Sequence, residues 1–101
     1  MLSNPFKKRF YKTEQGFKIF LVDGERLRKK HIEFTEGTNF KVVRYVPKGQ
    51  IWIDENLKSK PADMKAVIKH EVFEVLKMQK GMTYNKAHLL ANRMEKKYRN
   101  K

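Results

Sequence analysis

The strongest constraint on how this chain can fold lies between residues 61 and 99. Pro61 suits the first turn of a helix, Asp63 favours its positive end, and apolar residues recur at helical spacing through Met78 until Gly81 supplies a stop. Thr83 then offers an N-cap for a second helix from Tyr84 to Arg99. Ahead of the N-cap Thr83, only Gly81 and Met82 link the 61–80 helix to the 84–99 helix, so the two must lie side by side and antiparallel. Ala87 and Ala91, small residues on the apolar face of the second helix, permit a close approach.

The residues before this pair read mainly as strands. Residues 1–5 form a loose tail, and Thr13-Glu-Gln-Gly16 is a turn inside a hairpin spanning residues 8–22. Asp23 caps a short basic helix over Glu25 to Lys30. Residues 31–40, with Gly37, Thr38 and Asn39, read as a loop. Lys41 to Val46 and Ile51 to Asp54, two β-branched runs around Pro47-Lys-Gly-Gln50, predict a second hairpin. Trp52, in the alternating Ile51-Trp-Ile53 run, belongs to the core. Residues 55–60 connect to the helices. The expectation is one α+β domain over residues 1–101, with strands and a short helix in 6–54: a small antiparallel sheet of two hairpins, then an antiparallel helical hairpin over 61–99.

Composition narrows the chemistry. The chain has no cysteine, which excludes disulfides, thiol catalysis and thiolate zinc sites. A transition metal would have to be held by Asp, Glu and the three histidines, His31, His70 and His88. His31 lies in a basic segment and reads as a surface residue. No apolar run approaches the roughly 20 residues of a membrane span, and the N-terminus lacks a signal-peptide pattern, so a soluble cytoplasmic protein is expected.

Spacing residues at about 100° places Met64, Val67, Ile68, Val72, Val75, Leu76 and Met78 on one face of the 61–80 helix. Lys69, Lys77 and Lys80 take the solvated side. Glu71 falls inside the apolar face, where a lone carboxylate is costly, so it needs a partner or an opening. His70 and Glu74 flank the stripe one turn apart. On the second helix His88 and Glu95 lie beside the apolar face near Tyr84, and the antiparallel arrangement brings His88 toward Glu74. A hydrogen-bonded His and carboxylate network would satisfy these groups without a metal.

The run His70-Glu71-Val72-Phe73-Glu74 differs from the zincin pattern of two His four apart only in having Glu74 where the second His would stand. Together with Met78, Gly81, Tyr84, Ala87-His88, Ala91 and Glu95, it resembles small uncharacterised zincin-like proteins of bacteria and their mobile elements. The likeness covers roughly the last 40 residues. It implies a divalent metal held by His70, Glu74 and His88, with Glu71 as the base that deprotonates a metal-bound water and Tyr84 and Glu95 behind them. The activity implied is hydrolytic. A carboxylate at Glu74 lowers the charge of the site and admits zinc or a harder metal.

The 24 Lys and Arg against 11 Asp and Glu leave a formal charge of +13, which suits nucleic acid or an acidic protein as partner. Lys7, Lys8, Arg9 and Lys12 interleave with Phe10 and Tyr11 in a composition that can stack bases and neutralise phosphates. Arg26, Arg28, Lys29 and Lys30 form a second basic cluster. The charge is nevertheless spread evenly, with 12 basic and 5 acidic residues in 1–50 and 12 and 6 in 51–101. A nucleic-acid-binding accessory protein is therefore the second functional expectation.

Overall fold

The computed structural model of the protein describes residues 8–99. The expected tail at 1–5, with Phe6 and Lys7, lies outside the described residues. Strand β1 (Lys8–Glu14) returns through Gln15 and Gly16 into β2 (Phe17–Val22). Both turn residues have positive φ, 54° and 86°, as in the type I′ turns whose twist matches a two-residue hairpin. Asp23 then caps α1 (Gly24–Lys30) by accepting the Arg26 backbone N–H at 3.1 Å. To this point the chain folds as its local signals predict.

The expected second hairpin does not form. Strand β4 (Gln50–Asp54) pairs in parallel with β2 and antiparallel with β3 (Gly37–Asn39), giving a mixed four-stranded sheet ordered β1-β2-β4-β3. The segment read as a loop thus contains a strand, and Lys41 to Val46, read as a strand, is irregular. The cause is local. The Asn39 carbonyl accepts the backbone N–H groups of Val42 and Val43 at 3.1 and 3.2 Å, turning the chain off the sheet before the β-branched run can pair. The run still supplies apolar cover: Val43, Tyr45 and Val46 join Leu27 and Phe34 around Trp52 on the outer face of the sheet. Strand propensity reports fit to a half-buried surface more than backbone pairing, and this segment uses the fit alone. His31, expected at the surface, is partly buried and stacks on Tyr45 at 3.9 Å between ring centroids.

The inner face of the sheet presents Ile19, Leu21, Ile51 and Ile53 to Met64, Val67, Ile68, Val72 and Val75 of α2 (Pro61–Gln79), all of them buried. Full burial of one such side chain contributes on the order of 2 kcal/mol, so this contact fixes how α2 lies on the sheet. A 3-10 turn at Glu55–Ser59 leads into the helix. At its far end the Met82 N–H reaches the Lys77 carbonyl and the Gly81 N–H reaches that of Met78, while Gly81 takes a φ of 99°. This is a Schellman ending, and it requires the left-handed residue that glycine supplies. The Thr83 hydroxyl accepts the Lys86 N–H at 3.4 Å to open α3 (Tyr84–Arg99), which packs along α2 through the fully buried Ala87 and Ala91. Among the described residues, no helix is long and apolar enough to cross a membrane.

Strand β3 passes close to α2 because Gly37 has no side chain. A Cβ there would come within 2.9 Å of Val67 Cγ1, 3.0 Å of Ile53 Cδ1 and 3.3 Å of Glu71 Cγ. Gly37→Ala is therefore expected to lower stability by about 1–3 kcal/mol through overpacking. Urea unfolding should show a lower midpoint with an unchanged slope; a midpoint equal to that of the parent protein would show that β3 can yield.

Candidate metal centre

Where α2 passes β3 its buried face changes from apolar to ionisable. His70, Glu71 and Glu74 are all buried, at 5%, 7% and 2% exposure, although three such groups would ordinarily face water. Their partners explain why the helix tolerates them. The side-chain amide of Asn39, at the end of β3, donates to Glu71 Oε1 at 2.8 Å and to Glu74 Oε1 at 3.0 Å. The same amide accepts the Lys41 backbone N–H at its oxygen, 2.9 Å away, which fixes the NH2 group toward the two carboxylates.

The other oxygen of Glu74 is where two imidazoles meet. His70 Nε2 lies 3.3 Å from Glu74 Oε2, and His88 Nδ1, arriving from α3, lies 2.8 Å from the same atom. One ligand atom from each of the three residues falls within 4.8 Å of the others, and this cluster could hold a metal ion. Tetrahedral zinc with bonds of about 2.0–2.1 Å holds its ligand atoms about 3.3–3.4 Å apart, so a bound ion would require the imidazoles to shift. The partly exposed His88 ring has room to do so. Two imidazoles and one carboxylate, leaving a position open, are a donor set used by catalytic zinc.

Glu95 and Tyr84 stand behind this triangle. Glu95 Oε1 lies 2.7 Å from His70 Nδ1, off the direction of a well-formed hydrogen bond, so the contact is mainly Coulombic. The Tyr84 ring stacks on His88 with centroids 5.2 Å apart. Arg99, unremarked in the sequence, holds Glu95 from the other side and also reaches Asp63 at 3.2 Å and Glu36 at 2.9 Å. Asn39 escaped notice as well, because an Asn after Gly-Thr is an ordinary turn signal. The partnerless Glu71 on an apolar face was the only sign that such a donor must exist.

Burial pushes the Glu71 carboxyl up, the neighbouring Glu74 adds to this, and together they bring it to about 7. For Glu74, burial acts upward too, but hydrogen bonds from His70 and His88 outweigh it and hold the carboxyl below its ordinary value. Burial would lower His70, yet Glu74, Glu71 and Glu95 prevail and raise it. The cluster opens on a cleft of about 350 Å³ whose walls, among the described residues, include five glutamates, Glu33, Glu36, Glu71, Glu74 and Glu95, and no Lys or Arg. Arg99 offsets part of that charge, since it pairs with both Glu36 and Glu95.

The residues expected to meet nucleic acid are carried on two separate elements. Lys8, Arg9, Phe10, Tyr11 and Lys12 form the exposed strand β1, and Arg26, Lys29 and Lys30 are exposed on α1. Lys7 lies outside the described residues. Arg28 is committed internally, its Nη1 donating to the Thr35 carbonyl at 2.6 Å and to Asp54 at 3.1 Å. Lys8 is held by Gln50 and lies over the rings of Phe20 and Trp52. Compared with protein-family models, curated proteins and solved structures, the chain finds no match.

These shifts set how the metal-free fold responds to pH. Glu71 has a folded value above its ordinary 4.5, so the folded state holds that proton more tightly and stability is lost as pH rises from 4.5 to about 7. His70, raised above 6.5, loses its contribution at higher pH still. Glu74 works in the opposite sense, its contribution being lost as pH falls below 4.5. With chelator present, stability should decline from pH 5 to pH 8, Glu71 accounting for on the order of 3 kcal/mol. Glu71→Gln should remove most of that decline; an undiminished decline in urea titrations would mean that Glu71 is not its source. Asn39→Leu removes the donor shared by both carboxylates and should cost about 2–4 kcal/mol at pH 8, and less at pH 5 where Glu71 is protonated.

Proposed function

We propose that the protein is a small zincin-like, metal-dependent hydrolase, with His70, Glu74 and His88 as ligands and Glu71 as general base. The observation that carries this reading is the meeting of His70 Nε2 and His88 Nδ1 on one oxygen of Glu74, at the wall of an acidic cleft. A divalent ion held there would polarise a water molecule and a substrate carbonyl.

The chain's own contribution to catalysis centres on Glu71. A carboxyl near pH 7 is half protonated at neutral pH, which suits it both to take a proton from water and to return it to the leaving amine. Asn39 engages only Oε1, and among the described residues Oε2 has no hydrogen bond, leaving that oxygen for the water. Glu95, with Oε1 2.7 Å from His70 Nδ1, acts on that imidazole through its charge, without a well-formed hydrogen bond. The resemblance to zincins implies a peptide or amide bond as the substrate.

Metal content of protein purified without a nickel column tests the proposal. One equivalent of zinc or manganese is expected, and adding the ion at about 100 times its Kd should stabilise the chelated protein by about 2.7 kcal/mol, raising Tm by on the order of 10 °C. The gain should grow with pH, because binding requires a neutral His70. His70→Ala or His88→Ala should abolish it. Glu71→Gln should keep the metal and lose about 10²–10⁴-fold in turnover of an amide substrate. Absence of both bound metal and metal-dependent stabilisation would overturn the reading.

A further inference from the structure

The sheet has a second cleft at its opposite edge. It measures about 370 Å³ and forms where β1 meets the first turns of α2. Four lysines line it, Lys12, Lys58, Lys65 and Lys69, and its one acid is Glu14. Glu14 is held by Lys12 at 3.1 Å and Lys69 at 2.9 Å, so the cleft retains a surplus of positive charge. Neither Lys58 nor Lys65 has an ion pair among the described residues; Lys65 stands over the Tyr98 ring at 6.0 Å.

An aromatic ring completes the site. The register between β1 and β2 slips between Phe10 and Lys12, so Tyr11 opposes no residue on β2 and bulges from the strand. It lines the cleft and remains 43% exposed, an unusual position for a large ring with no core to fill. Phe10, beside it on the strand, is 54% exposed.

We propose that this cleft binds single-stranded nucleic acid, with the four lysines against phosphates and Tyr11 stacked on a base. Charge alone would suit any polyanion. The exposed ring decides among them, because an acidic peptide or an anionic bilayer offers no flat π-face to stack on it, and a duplex keeps its bases stacked on one another. The site is separate from the acidic cleft, whose walls among the described residues carry five glutamates and no Lys or Arg.

Fluorescence anisotropy of the full chain with labelled oligo(dT) of about 15 nucleotides tests the proposal. Binding is expected to weaken with salt at a log–log slope of about −0.7 per phosphate contacted, roughly −2 to −3 for the cleft. Lys58→Glu combined with Lys65→Glu should weaken binding about tenfold or more, whereas the equal charge change Lys29→Glu with Lys30→Glu on α1 should cost less than about threefold. Tyr11→Ala should weaken it by about fivefold or more with the salt slope unchanged, and Tyr11→Phe should retain it. Chelator should have no effect. The proposal is overturned by absence of binding, by equal losses from the two charge reversals, or by a Tyr11→Ala protein that binds as its parent does. Equally tight binding to duplex DNA, polyglutamate or anionic vesicles also overturns it.

Discussion

Two glutamates three residues apart on a buried helix face repel each other and lose their hydration together, and one primary amide makes the arrangement tolerable. Asn39 spends one N–H on each carboxylate and is itself locked by the Lys41 backbone. The amide carries no charge, so it satisfies both acids without neutralising either. A lysine in its place would have favoured both as carboxylates, and an apolar residue would have left Glu71 without a hydrogen-bond donor. Under Asn39 the pair divides the work: Glu74 stays ionised under two imidazoles, and Glu71 titrates near neutrality. The bond depends on β3 lying against α2, which depends in turn on Gly37 having no side chain.

The helical half of this architecture was legible because its signals are local. Pro61, Gly81 and Thr83 act through backbone geometry within a few residues of themselves, and they fix the ends of α2 and α3 wherever the rest of the chain lies. The cluster of His70, Glu71, Glu74 and His88 was legible for the same reason, since a link of only four residues, Lys80 to Thr83, leaves little freedom in how adjacent helices meet. The sheet was less accessible. Val42, Val43 and Val46 have every strand preference, but whether they pair depends on a turn at Asn39 and on β2 and β4 meeting in parallel across an intervening helix and strand. Such long-range pairings leave no local trace. Asn39 was hidden by the same fact: its role exists only once β3 has been placed beside α2.

The distribution of charge changes meaning once residues are located in space. Along the chain, basic residues are divided evenly between the halves, which looks like a general surface property. In the folded molecule the two clefts are opposite in character: one edge of the sheet gathers glutamates and the other gathers lysines around a single paired Glu14. The β order places these clefts at opposite ends of the same sheet. A net charge cannot describe such a molecule, because the charged residues lining its clefts differ in sign.

The bulge at Tyr11 also bears on how the molecule avoids itself. Strand β1 is an edge of the sheet, and a regular seven-residue edge with two exposed aromatic rings is the kind of template on which identical chains align and aggregate. The slipped register interrupts the row of backbone donors and acceptors at mid-strand, while Lys8, Arg9 and Lys12 place like charges where a second copy would have to dock. The edge can therefore keep its aromatic rings in water without recruiting its own kind. The bulge and the basic side chains thus act on the same edge in different ways, one breaking the row of pairing groups and the other repelling a second copy.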